Sequence, residues 1–231
     1  VELKNKMEFF DATLNRAIQG PKLDHWTLQN ASHCVIAHMP DTPLTCLDFW
    51  CRAGSSSERA GEEGLAHFLE HMVFKGSTSL NAGEFDRKIE ELGGSSNAAT
   101  GFDDVHFHVL VPPKAIDAAL ELLLGLVLDP ALKLDDYSME REVVLEEIAQ
   151  YKDQPDEQVF QQLLESCWKK HSYGRSILGF ESSLKESNPQ KMREFHNRHY
   201  QGNNCCLSIA GPIPQNIEFL INNSRLAKLK K

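Results

Sequence analysis

The segment His67-Phe68-Leu69-Glu70-His71 sets two imidazoles four residues apart, with a carboxylate three residues after the first. At about 3.6 residues per turn, a helix stacks these positions on one face, so both rings can reach one cation. Leu65, Phe68, Leu69, Met72, Val73 and Phe74 surround the polar triplet, and Gly61 and Gly64 precede it. A helix this apolar is no solvated surface element, and polar groups held within it need partners. Zn²⁺ takes imidazole nitrogen at about 2.0–2.1 Å, and a catalytic zinc site uses three protein ligands and keeps a fourth position open for water. Glu70 beside such a site is suited to accept a proton from the bound water rather than to ligate. The order H-x-x-E-H is one of the known zinc-site signatures.

A third ligand has to come from elsewhere in the chain. Met139-Glu140-Arg141-Glu142-Val143-Val144-Leu145-Glu146-Glu147-Ile148 is the best source, with Glu140 and Glu147 two helical turns apart on nearly the same face. One carboxylate can ligate while the other holds a histidine ring or a neighbouring charge. Spacing alone leaves Glu140, Glu146 and Glu147 open.

Composition narrows the class without naming a function. The 231 residues are 41% hydrophobic and 25% charged, enough for a substantial core in one large domain or two small ones. A formal net charge of -9 argues against non-specific nucleic-acid binding. No run reaches the ~18 apolar residues of a membrane span, and Val1-Glu2-Leu3-Lys4-Asn5-Lys6 is not a secretory signal peptide, which predicts a soluble chain. Because the chain does not begin with Met, a removed targeting segment stays open. Cys34, Cys46, Cys51, Cys167, Cys205 and Cys206 form no C-x-x-C pair and are scattered through apolar segments, as reduced core thiols in a reducing compartment are.

The hydrophobic pattern predicts helices over 2–18, the metal-site segment, 84–92, 114–128, 135–151, 156–169 and 188–199, and a short one after Gly211-Pro212. Strands are expected over 33–38, 44–52, 97–100, 105–111 and 205–210. With no linker-like shift in composition, residues 1–231 read as a single α+β domain, a mixed, largely antiparallel sheet backed by helices. His106 and His108 share a face of their strand and are read as facing solvent or satisfying local polar groups, not as ligands. His171, His196 and His199 are read as structural, Asp103-Asp104 as a turn, and the basic tail of Arg225, Lys228, Lys230 and Lys231 as solvated.

These motifs together resemble the pitrilysin-type (M16) metallopeptidases, which include insulin-degrading enzyme and the mitochondrial processing peptidases. The likeness runs through Arg52-Ala53-Gly54-Ser55, Gly64 to Gly76, Asn97-Ala98-Ala99-Thr100, Glu140 to Glu147 and Tyr173-Gly174-Arg175-Ser176-Ile177-Leu178-Gly179. It implies the processing-peptidase-like metallohydrolase fold and zinc bound by His67, His71 and Glu147, the last standing 76 residues beyond His71. It also implies Glu70 as general base, with Glu140 as the additional glutamate of the catalytic set. A peptide or unfolded substrate extended beside Asn97, Ala98, Ala99 and Thr100 can add a strand to the sheet edge, where the two alanines leave room.

In that family each half of the chamber has two such domains, and this chain matches the first. No stretch matches the second, which carries a substrate-gripping arginine and tyrosine. The partner implied is therefore a second copy or a complementary domain or subunit. A zinc metalloendopeptidase is the reading the residues favour; the alternative is a non-catalytic or partner-dependent subunit that binds peptide or assembles. Bacterial, mitochondrial and plastid relatives share the motifs, so the bacterial cytoplasm and an organelle are not separated.

Overall fold

Residues 20–231 are described in the structure, a computed structural model; the helix expected over 2–18 lies outside them. Six strands build one mixed sheet: β1 (Lys22–Thr27), β2 (His33–His38), β3 (Thr45–Cys51), β4 (Ser95–Thr100), β5 (Val105–Val111) and β6 (Cys205–Gly211). Their spatial order is β1-β2-β6-β3-β5-β4. Only β2 and β6 run parallel; the other pairs are antiparallel. This is the mixed, largely antiparallel α+β architecture that the sequence predicts.

Alternation decides which face is buried. Along β3, Leu47, Phe49 and Cys51 are buried while Cys46, Asp48 and Trp50 are half-buried on the opposite face. Val105, Phe107, Val109 and Val111 repeat the pattern on β5, and Cys205, Leu207 and Ile209 on β6. Helices cover this apolar face. They are α1 (Leu65–Val73), α2 (Glu84–Glu91), α3 (Ile116–Leu128), α4 (Leu134–Lys152), α5 (Pro155–Cys167), α6 (Glu181–Glu186), α7 (Pro189–His199) and α8 (Ile217–Asn223). Helix α3 lies against β3 and β5, and α1 meets β4, α4 and α7. Burial of the α4 face Tyr137, Glu140, Val144 and Ile148 brings its carboxylates to α1.

Two elements have no counterpart in the sequence reading. In β1, Leu23 is largely exposed and the strand pairs, among the described residues, only with β2 at the sheet edge, so no clean apolar alternation marks it. Six-residue α6 buries only Leu184. Among the thiols, Cys34, Cys51 and Cys205 are buried, but Cys167 is exposed at the end of α5, which corrects its reading as a core thiol. The neighbours Cys205 and Cys206 do face opposite sides of β6.

The tail is not uniformly solvated either. Arg225 pairs with Asp129, Leu226 is fully buried, and Asn30 donates to the Leu226 carbonyl at 2.7 Å. His196 is buried, bonded at 2.9 Å to the Val127 carbonyl and stacked on Tyr200. His171 Nδ1 accepts from the Tyr173 amide at 3.2 Å, and His199 lies 3.1 Å from the Arg198 guanidinium. These contacts agree with structural roles. Asp103 sits in the β4–β5 turn and ties it down by accepting from Ser56 Oγ at 3.1 Å and Tyr173 Oη at 2.5 Å.

Candidate metal centre

The metal-site helix is fixed at its N-terminus by a residue that sequence reasoning missed. Glu58 is buried, and its two carboxylate oxygens accept from the amides of Gly64 at 3.1 Å and Ala66 at 2.8 Å, groups that have no partner within the helix. Burial pushes the Glu58 carboxyl up to about 8, against the two amide donors. The only sequence signal was an acidic residue shortly before an apolar helix. Gly64 itself has φ +90°, and a Cβ there would stand 2.5 Å from the Leu178 carbonyl oxygen. The segments Gly64–Gly76 and Tyr173–Gly179 are thus two sides of one contact. Gly54 does the same for Arg52–Ser55: its backbone runs so close to the β4–β5 turn that a Cβ would lie 2.5 Å from the Phe102 oxygen.

From this anchored helix, His67 and His71 turn toward α4, with ring centroids 4.7 Å apart. Glu147 Oε2 lies 3.7 Å from His67 Nε2 and 3.5 Å from His71 Nε2. Each of the three residues offers a donor atom, all within 4.8 Å of one another. Two imidazole nitrogens and one carboxylate oxygen converging at this separation fit the donor set of a catalytic zinc. Glu140 is placed differently. It accepts from His71 Nδ1 at 2.9 Å and from Lys75 Nζ at 2.6 Å, so it touches the side of the ring away from the convergence point. Glu146 is exposed and is not among the residues whose donor atoms converge here. Among the described residues His67 Nδ1 has no hydrogen-bond partner.

Glu70 faces the same space, and its Oε2 accepts from the Thr100 hydroxyl. Burial raises the Glu70 carboxyl above its ordinary range, opposed by that bond. Burial lowers His67 to about 4. For His71 burial acts downward too, but hydrogen bonds to Glu147 and Glu140 outweigh it and the net direction is up. Glu147 is lowered, chiefly by its contact with His71.

A cleft of about 440 Å³ opens over His67, Glu70 and Glu147. Ala98, Ala99 and Thr100 form one border; Asn97, expected with them, is exposed on β4 but does not line the cleft. Strand β4 is the last in the sheet, so its outer edge is unpaired among the described residues. Helix α5, which buries none of its side chains, brings Phe160 and Leu164 to the other border.

The family model for insulinase (peptidase family M16) matches residues 33–181, well over half of the chain. The chain belongs to the M16 peptidase family. A Rickettsia felis protein named as an uncharacterized zinc protease is 31% identical over 186 residues, 80% of this chain and 45% of the relative. The crystal structure of a protease from Helicobacter pylori superposes with a TM-score of 0.86 at 29% identity, covering 91% of this chain and 51% of that one. An M16 inactive domain from Pseudomonas fluorescens shares the fold, with a TM-score of 0.82 at 17% identity, 90% of this chain and 50% of that one. The chain therefore spans about half the length of the relatives it matches. Among the described residues no helix is long and apolar enough to cross a membrane.

Proposed function

We propose that this M16 chain is the metal-bearing unit of a zinc-dependent metalloendopeptidase that hydrolyses peptide bonds in peptides or unfolded segments. His67, His71 and Glu147 hold Zn²⁺, and Glu140 orients His71 from the far side of its ring. When bound, zinc polarises the scissile carbonyl and makes an attacking water acidic enough to lose its proton near neutral pH. Glu70 takes that proton and returns it to the departing amine, while the Thr100 hydroxyl fixes the carboxylate's orientation. The substrate lies extended along the free edge of β4, where backbone hydrogen bonds supply affinity with little demand on sequence and the small Ala98 and Ala99 let the chain approach.

The observation that carries this reading is the convergence of His67, His71 and Glu147 beside Glu70, on the wall of an open cleft, in a chain of this family. In one variant of this reading, turnover needs a complementary domain or subunit, or a second copy. The test is cleavage of a quenched fluorescent peptide mixture by the zinc-loaded chain and by Glu70→Gln, with zinc content measured on both. Equal zinc with cleavage only in the wild type is expected. Zinc on both and cleavage by neither supports the partner-dependent variant. Absence of zinc on both refutes the ligand assignment.

A further inference from the structure

The sheet face opposite the buried layer carries, among the described residues, a second group of side chains able to ligate a metal. His106 and His108 alternate onto that face of β5, and the β3–β5 register places Asp48 directly opposite His108 and Trp50 opposite His106. Asp48 Oδ1 lies 3.1 Å from His106 Nδ1. The His106 ring stacks on Trp50 with centroids 4.3 Å apart and planes 11° from parallel, and on His108 at 5.6 Å and 17°. Both imidazoles are thereby held nearly parallel, and donor atoms from Asp48, His106 and His108 fall within 4.8 Å of one another.

Asp48 has a side chain only 18% exposed, and among the described residues its carboxylate forms an ion pair with no lysine or arginine but contacts the His106 ring. Half-buried carboxylates are ordinarily paired or coordinate a metal. We propose that Asp48, His106 and His108 form a second binding site, for a divalent transition cation such as Zn²⁺. Two imidazole nitrogens and a carboxylate oxygen with open positions suit such an ion. The site is distinct from the cleft. Thr100 points toward Glu70 on the helix side of the sheet, whereas Asn97, in register with His108, does not line the cleft, and neither do Asp48, His106 and His108. It also holds independently of the peptidase reading. The sequence reading sets His106 and His108 aside as non-ligands, because the carboxylate that joins them, Asp48, stands 58 residues before His106.

The experiment is zinc stoichiometry by equilibrium dialysis and native mass spectrometry on the chain and its variants, with circular dichroism to verify folding. The chain is expected to bind about two equivalents, and a His106→Phe/His108→Asn variant about one. A His67→Ala/His71→Ala variant should keep about one equivalent, which Asp48→Asn then weakens by at least ~10-fold. Because Asp48→Asn is nearly isosteric, it covers the case in which the double histidine variant fails to fold. A wild type holding about one equivalent that vanishes in His67→Ala/His71→Ala overturns the proposal. So does a second equivalent that survives both His106→Phe/His108→Asn and Asp48→Asn, for instance at His25 and His33, whose rings meet elsewhere on the same face.

Discussion

Glu140 offers the sharpest test of how the metal centre is held. Its side chain is 9% exposed and has two partners, His71 Nδ1 at 2.9 Å and Lys75 Nζ at 2.6 Å. Glu140→Ala leaves both donors without it and frees the His71 ring to rotate, while every proposed ligand stays in place. Removing an outer partner of this kind typically weakens metal binding about 10–100-fold, or roughly 1.4–2.8 kcal/mol. The His71 side chain is 22% exposed, so water replaces part of the lost bond, and a fall in zinc affinity of ~30-fold is expected. Glu140→Gln keeps an acceptor for the imidazole N–H and loses only the ionic contact with Lys75; it should cost less than ~10-fold. Competition with a chromophoric zinc chelator at neutral pH measures all three proteins on one scale. An Ala variant that binds zinc like the wild type refutes the orienting role. An Ala variant as defective as His71→Ala makes Glu140 a ligand instead.

Gly64→Ala forces a side chain into a left-handed backbone and against the Leu178 carbonyl, at a cost of roughly 2–4 kcal/mol in denaturant unfolding of the metal-free chain; a loss below about 1 kcal/mol refutes the contact. Thr100→Val removes the hydroxyl bound to Glu70, so kcat should fall about 10-fold with zinc content unchanged, and an equal loss of zinc would mean that Thr100 supports the metal instead. Burial holds the His196 imidazole at about 4, below its ordinary 6.5. The unfolded chain therefore takes up this proton first as pH falls, and stability present above pH 6.5 is lost progressively down to pH 4, by up to about 3 kcal/mol. His196→Gln, which retains a donor for Val127, should flatten that limb in unfolding measured across the range; an unchanged acid limb refutes the assignment.

What was legible in the sequence follows from how local each signal is. Helix α7 announces itself because its apolar positions fall three residues apart, α3 because it is a long apolar run, and β3, β5 and β6 because their apolar residues alternate. Strand β1 escaped because an edge strand exposing Leu23 needs no apolar face, and α6 because one buried leucine makes no period. At the metal centre, His67, Glu70 and His71 are a local motif on one helix. Spacing put Glu140 and Glu147 on one face of α4 but did not order them. Their order comes from the height at which α4 crosses α1, which aims Glu147 at the two Nε2 atoms and Glu140 at the back of His71.

The same distinction separates the two proposed cation sites on opposite sides of one sheet. On α1 the ligands are neighbours along the chain, so the pattern reads as chemistry before any fold is known. On the opposite face of the sheet, His106 and His108 are neighbours too, yet a strand pair alone supplies two nitrogens and no charge. The missing carboxylate comes from β3, and only the Asp48–His108 register, set by the apolar faces that Leu47, Phe49, Phe107 and Val109 bury beneath, brings it across. A one-residue slip in that register would point Asp48 into the core, where an unpaired carboxylate is far more costly. The packing that fixes the core therefore also fixes the ligand set above it. Volume-conserving changes in the buried layer should accordingly leave the cation site intact, whereas a β3 insertion that shifts the register should abolish it.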